Sequence, residues 1–401
     1  MEKKNVYIMS GCRTPIGKYG GSLKDVPAHE LGAIVVKEAV KRAGIAPEMV
    51  EECMMGEVRQ STEASNIARL VALEAGLREE CPGFTTNRLC ASAMQAIYSG
   101  CQQIWLGEAD VIVAGGTENE SRAPVYLRGA RWGGNRPTVV DSNIEAGSTA
   151  CPASVYGPGL TMPKTAENVA ERFNISRKEQ EEFAVESQRR AAEAIAAGKF
   201  KEEIVPVEVK QKKTTFLFET DEQPRATTME TLAKLKPMNK RNDGGEGTVT
   251  AGTSCGINDG AAAVVLMSED KVKETGLKPM ARIIDVTVAA LDPTIMGYGP
   301  YYSTKKILER NNMTMDDIDL VELNEAFASQ SVACIRDLGM DPAKVNINGG
   351  AIALGHPLGC TGARLIVTLM HALKQTGGKI GLATLCIGGG QAMATLIEMC
   401  D

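Results

Sequence analysis

Histidine is scarce in this chain: the 401 residues hold three, at positions 29, 356 and 371. Any chemistry that needs an imidazole must use His29, His356 or His371. Also lacking is an excess of positive charge. The chain has 44 Lys and Arg against 50 Asp and Glu, a net charge of -6, which argues against nucleic acid or an anionic membrane as partner. No apolar run reaches membrane-spanning length and no secretory leader pattern shows, so the expected location is cytoplasmic. The eleven cysteines are irregularly spaced and include no Cys-x-x-Cys pair. That pattern suits reduced thiols and excludes a disulfide framework or a zinc site; no metal ligand set is found.

What is present is an ordinary globular balance, 43 % hydrophobic and 23 % charged, in a chain long enough for two or three core-forming units. Val6 to Met9 reads as a strand and Arg13 to Gly17 as the loop that leaves it. Residues 29–42 form an amphipathic helix ended near Gly44. Another helix lies between Val58 and Gly76. The stretch Asn87-Arg88-Leu89-Cys90 follows a strand end at Gly83-Phe84-Thr85-Thr86 and opens a helix that runs to about Leu106. A thiol at such a turn lies over the free N–H groups of a helix start, which lower its pKa toward neutrality and favour the nucleophilic thiolate. The run Ala109 to Gly116 is apolar and glycine-bounded, as a fully buried strand is.

From Ser121 to about Glu246 the chain turns rich in glycine, proline and charge, and reads as a subdomain inserted over a sheet. Ser176 and Glu179 form a capping box for a helix that Gly198 stops. Its basic residues, among them Lys210, Lys212, Lys213 and Arg225, are candidates for facing a phosphorylated ligand. After Thr248 the apolar style returns with an internal repeat. Lys41-Arg42-Ala43-Gly44 through Glu57 resembles Glu309-Arg310-Asn311-Asn312 through Glu325: a helix end, a short acidic helix, then a buried strand. The Cys90 unit likewise matches Gly349-Gly350, a helix over 362–375, and a strand entering Gly388-Gly389-Gly390.

The second copy carries three further stretches with chemistry. Gly355-His356-Pro357-Leu358-Gly359 places an imidazole, the common acid/base at neutral pH, in a loop at a helix start. Asn324-Glu325-Ala326-Phe327 follows a buried strand, where an Asn can fix a water. Cys386-Ile387-Gly388-Gly389-Gly390 sets a second thiol beside bare backbone N–H groups able to meet negative charge.

Taken together, the stretches 87–90, 324–327, 355–359 and 386–390 resemble the four catalytic motifs of the thiolase family, in that family's order. The likeness extends to 13–17, 248–252 and 256–261 and so covers essentially the whole chain. The resemblance implies an α/β, thiolase-like fold: two repeated βαβαβαββ halves forming a five-layered αβαβα core, with an inserted loop subdomain. The expected division is residues 1–121 with 249–270, an insert at 122–248, and a second half at 271–401. It further implies a reversible Claisen condensation of coenzyme A thioesters, with acetyl-CoA, acetoacetyl-CoA and CoA as partners and no cofactor. By resemblance Cys90 takes the acyl group, His356 accepts its proton, and Cys386 is the base toward a second acetyl-CoA. Asn324 holds an oxyanion-hole water with His356, and the N–H groups of Cys90 and Gly388 form the other hole. Met162, Arg225, Cys255, Met296 and Phe327 are the expected substrate- and CoA-binding residues.

The likeness is closest to the acetyl-CoA acetyltransferase type; a degradative 3-ketoacyl-CoA thiolase for longer chains is the alternative. A non-catalytic acyl-CoA-binding subunit would be expected to lose Cys90, His356 or Cys386, and all three stand. A carrier-protein ketosynthase would carry His or Asn where Cys386 is. The chain departs from the family at Thr161, often histidine; at Ala93 and Ala392, usually glycine; and at Cys255, usually serine. Family members are dimers or tetramers, so a homodimer or homotetramer is expected, with residues 125–136 a candidate tetramer contact.

Overall fold

The computed structural model describes residues 4–133, 136–211 and 214–400. Lys212 and Lys213 therefore lie outside the described residues. In the first half, strand Val6–Arg13 pairs antiparallel with Asn258–Ser268, which pairs antiparallel with Val111–Asn119. Parallel strands Glu52–Gly56 and Gly83–Thr86 complete it. The second half repeats this order with Ala281–Ala290, Gln391–Met399, Ile380–Ile387 and Leu320–Leu323, and a single parallel bridge between Val321 and Val345 stands for the fifth strand. The repeat extends to irregularities. A bulge interrupts the first strand between Ile8 and Ser10, and another interrupts its counterpart between Ile283 and Asp285. Residues 6–8 pair with 281–283, so one hydrogen-bonded path links both sheets.

Alternation along the strands divides the apolar side chains into three cores. Met54, Ile112, Ala114, Val264 and Leu266 face a core shared with Leu385, Ile387 and Met393 of the other sheet. Their neighbours Cys53, Met55, Val111, Val113 and Val265 face outward onto helix Ala28–Ala43. Leu382, Ala394 and Leu396 face the opposite outer layer, helices Gly299–Arg310 and Ala328–Leu338. Between the sheets lie helices Ser92–Leu106 and Leu358–Thr376. In the latter every residue from Gly359 to Leu373 is buried, as a helix covered on all sides must be. Five layers result, as the motif resemblance implies.

The insert keeps no core of its own. Ala191, Ala194, Phe200 and Ile204 pack with Ile16, Ala353 and Leu354 from the two halves. Its capping box forms as expected, Ser176 N–H donating to Glu179 Oε2 at 2.7 Å. Arg13 differs from expectation. It is the buried last residue of an eight-residue strand, not a loop residue, because its guanidinium meets Glu203 at 2.6 Å and Asp221 at 2.7 and 2.9 Å. These bonds tie the insert to the first strand. A hairpin of Val125–Arg128 and Thr138–Asp141 projects outward with Val125, Leu127 and Val139 exposed. Among the described residues no helix is long and apolar enough to cross a membrane.

Candidate active site

Cys90 sits two residues ahead of helix Ser92–Leu106, directly after Leu89, whose φ of 48° is left-handed. A bulky residue pays about 1–3 kcal/mol for that conformation, so its surroundings must enforce it. They do. Asn87 Oδ1 accepts the Leu89 N–H at 3.0 Å, and Ser92 Oγ donates to the Leu89 carbonyl at 2.7 Å while accepting the Arg88 N–H at 2.9 Å. Arg88 Nη1 also reaches Gln391 Oε1 at 3.2 Å, joining this elbow to the other half.

The expected depression of the Cys90 pKa does not hold. Burial pushes the thiol up to about 11, and the N–H of Gly388, pulling the other way, offsets it only in part. The helix starts at Ser92, beyond the cysteine, so the donors that act on this sulfur are the N–H of Gly388 from the opposite half and, more weakly, that of Cys90 itself. Cys90 at rest is a protonated thiol and needs a base.

His356 occupies the corresponding place in the second copy, two residues ahead of helix Leu358–Thr376. Its Nδ1 lies 2.7 Å from Thr361 Oγ1, whose own hydrogen goes to the Pro357 carbonyl, also at 2.7 Å. Thr361 can then only accept, which places the ring hydrogen on Nδ1 and the lone pair on Nε2. Asn324 Nδ2 donates to that Nε2 at 3.4 Å. Burial first, and the cation of Arg364 second, push the imidazole down to about 3, so it is uncharged at neutral pH. Asn324 Oδ1 is buried without a partner among the described residues.

Cys386 is the last but one residue of the strand Ile380–Ile387 and is almost wholly buried. Burial raises its pKa well above the ordinary thiol value, with Cys90, Cys334 and Cys255 adding to the rise. The following turn needs glycine: Gly389 and Gly390 have φ of 81° and 79°. A methyl group on Gly388 would stand 3.1 Å from Leu89 and 3.5 Å from Met162, which places the turn against the Cys90 elbow.

Four of the five residues expected around the substrate gather here. Met296 and Phe327 pack in one cluster with Cys386, and Met162 and Cys255 lie against it. Cys255 is held by its N–H to the Ala326 carbonyl at 3.0 Å. Arg225 does not join them. It is exposed on a loop, where its backbone N–H donates to Gln188 Oε1 at 3.0 Å and its carbonyl accepts from Thr227 Oγ1 at 3.1 Å. Thr161, where the family often has histidine, caps helix Met162–Arg172 by accepting from Lys164 N–H.

Sequence reading missed the buried groups that hold the histidine loop. Glu118 Oε2 accepts the Val58 N–H at 3.0 Å and the Gly359 N–H at 2.8 Å, while its Oε1 accepts that of Arg59 at 2.9 Å. Asn258 Oδ1 accepts the His356 N–H at 2.9 Å, its Nδ2 donates to Gly17 and Gln223, and its own N–H goes to Glu120. Burial raises the pKa of Glu57, to about 8, and of Asp259, to about 6. It also raises those of Glu118 and Glu120. The usable signal was acid residues at the end of an otherwise apolar strand.

Two repeated α/β halves meet at a seam that carries Cys90 and Gly388 from opposite halves. Residues 6–270 match the family described as Thiolase, N-terminal domain, and residues 277–399 match Thiolase, C-terminal domain. The chain belongs to the thiolase family. An acetyl-CoA acetyltransferase of Syntrophomonas wolfei subsp. wolfei is 47 % identical over 98 % of this chain and 99 % of its own. The crystal structure of the Bacillus anthracis acetyl-CoA acetyltransferase superposes with a TM-score of 0.94 at 44 % identity, covering 99 % of both chains. Human mitochondrial 3-ketoacyl-CoA thiolase in complex with CoA gives 0.92 at 42 %, covering 99 % of this chain and 98 % of that one.

Proposed function

We propose that this acyltransferase catalyses the reversible Claisen condensation of two acetyl-CoA to acetoacetyl-CoA and CoA, in two steps through an acyl-Cys90 intermediate. The observation that carries the reading is the uncharged imidazole of His356, with its lone pair on Nε2, facing a site that also holds two thiols, Cys90 and Cys386. Cys90 Sγ attacks the thioester carbonyl as its proton passes to His356, which returns the proton to the departing CoA sulfur. Cys386 passes its own proton to His356 Nε2, and the thiolate so formed takes a proton from the methyl group of a second acetyl-CoA. The resulting enolate attacks the acyl carbon and expels Cys90, whose sulfur takes back the proton held on His356.

Both steps build charge on oxygen. The N–H groups of Cys90 and Gly388 suit the tetrahedral oxyanion; His356, protonated on Nε2, and a water on Asn324 Oδ1 suit the enolate. Each such donor is typically worth about 3 kcal/mol. Raised thiol pKa values match this use: a base that removes a proton from a weakly acidic carbon must itself be strong. Thiol and imidazole together supply nucleophile and base, and the proposed reaction uses no metal or prosthetic group.

A second reading, thiolysis of longer 3-oxoacyl-CoA chains, is favoured by the likeness to the human 3-ketoacyl-CoA thiolase and by the apolar wall of Met162, Met296 and Phe327. The deciding experiment adds free CoA to 3-oxoacyl-CoA substrates of increasing length and follows loss of the enolate absorbance. Rapid cleavage of acetoacetyl-CoA that falls steeply with each added carbon pair supports the first reading, and a flat profile supports the second. No loss of acetoacetyl-CoA would overturn the first. We further propose a cytoplasmic homodimer or homotetramer, the exposed apolar side chains of Val125, Leu127 and Val139 on the paired strands Val125–Arg128 and Thr138–Asp141 supporting the tetramer.

A further inference from the structure

Behind the site lies a buried ion pair that the proposed reaction does not use. Arg364 is fully buried in the central helix and its Nη1 reaches Glu322 Oε2, itself buried, at 3.1 Å. Its Nε and Nη2 have no partner among the described residues. Such a pair is a poor source of stability, because desolvating both charges offsets their attraction; its best-attested use is to fix register.

Its place suggests what register it fixes. Glu322 lies on strand Leu320–Leu323 and Asn324 directly follows it, its N–H still bonded to the Thr384 carbonyl at 3.0 Å, so the period of two puts both side chains on one face. Arg364 follows Thr361 by three residues on one helix, so these two also share a face. Thr361 holds His356, and His356 meets Asn324 at 3.4 Å. The circuit closes: Asn324, His356, Thr361, Arg364, Glu322 and back along the strand to Asn324. The strand and helix are thus pinned at two levels, one being the reacting pair and the other the ion pair.

We propose that Arg364 and Glu322 are positioning residues, setting helix Leu358–Thr376 against strand Leu320–Leu323 so that His356 meets Asn324, and placing a fixed cation behind the imidazole. The charged groups tied to the histidine loop are Arg364, whose cation acts on the ring from the helix that follows the loop, Glu118, which accepts the Gly359 N–H, and Glu120, which accepts the N–H of the Asn258 that holds the His356 N–H. Glu322 and Glu325 flank Asn324 in the chain, and Asp259 follows Asn258. Of the charged groups, Arg364 is the cation that opposes a second positive charge on the ring, and it acts in the same direction as burial. Burial works to protonate Glu322 while the guanidinium works to keep it ionised.

This inference takes from the proposed function only that His356 is a reacting group, and a readout independent of substrate keeps the two separable. With three histidines in the chain, the ¹⁵N imidazole spectrum is simple enough to titrate His356 directly. In wild type the ring should stay uncharged, with its hydrogen on Nδ1, down to about pH 5, well below an ordinary histidine. Arg364→Gln removes the cation and should move the midpoint upward. Glu322→Gln leaves the cation uncompensated, so the midpoint should stay or fall. Both should lower kcat by about 10²-fold, the cost of misplacing a reacting group by an ångström, with little change in KM.

Arg364→Lys keeps the charge without the planar fork, and should restore the midpoint but not the rate. Where Arg364→Gln fails to fold, the double change Arg364→Met with Glu322→Met replaces the pair by apolar side chains and should show the same upward movement. A folded cation-free variant with an unmoved midpoint would overturn the proposal, as would equal movement in both single variants. Wild-type kcat in folded Glu322→Gln would do the same. Absent acetoacetyl-CoA cleavage in wild type would sink the proposed function alone.

Discussion

The two halves of this chain share a topology down to a strand bulge, yet contribute different chemistry. In each, one residue stands two positions ahead of the central helix: Cys90 before Ser92–Leu106 and His356 before Leu358–Thr376. In each, a parallel strand ends beside that turn. The first half follows its strand Glu52–Gly56 with Glu57, a buried acid; the second follows Leu320–Leu323 with Asn324 and then Glu325. Two acids of the first half are engaged by backbone instead. Glu118 and Glu120 accept backbone N–H groups, and through Gly359 and Asn258 they hold the loop of the other half in place. Equivalent backbone positions thus carry acids that bind backbone in one copy and, under the proposed function, a base in the other. The repeat determines where a side chain stands, and the side chain determines what is done there.

Substitutions that break this division should differ in size. Cys90→Ser should do the most, lowering acyl transfer by about 10⁴–10⁶-fold, since a hydroxyl beside a weak base is barely ionised. Incubation with radiolabelled acetyl-CoA checks it; full activity, or label on another cysteine, would reassign the nucleophile. Cys386→Ala should split the reaction. Acetyl transfer to residue 90 survives, while carbon–carbon bond formation drops by about 10²–10⁴-fold, as loss of a general base does. Equal loss in both half-reactions would make Cys386 structural.

A third test sharpens the contrast between helix start and burial. With its pKa pushed up to about 11, Cys90 gains thiolate about tenfold per pH unit below that value. Its alkylation by iodoacetamide should therefore climb about a hundredfold from pH 7 to pH 9 without levelling. A plateau near neutrality would mean that the helix start prevails over burial. The smallest effect belongs to the scaffold. Glu118→Gln puts an amide N–H against backbone donors and should cost about 1–3 kcal/mol of stability, read as a lower denaturation midpoint. An unchanged midpoint would mean that those backbone groups find other partners.

What could be read from the sequence was local, and what escaped was distant. The capping box at Ser176 and Glu179 spans three residues, and Gly44 ends its helix through its own left-handed φ of 69°. Of the four motif stretches, 355–359 and 386–390 set an unusual side chain among glycines, whereas 87–90 and 324–327 are marked by the strand end that precedes each. Glu118, in contrast, is defined by partners 60 and 241 residues away, and nothing in Gly-Gly-Thr-Glu-Asn announces either. The Cys90 environment was misjudged for the same reason. A helix start is a local feature, whereas the burial that outweighs it comes from the opposite half of the fold.

The pairing of residues 6–8 with 281–283 has a mechanical consequence. Prising the halves apart would tear a backbone ladder and split the central core, so the molecule has no hinge between them. What is left to adjust around the seam is the insert, whose loop at Gln223 touches Asn258 beneath the histidine.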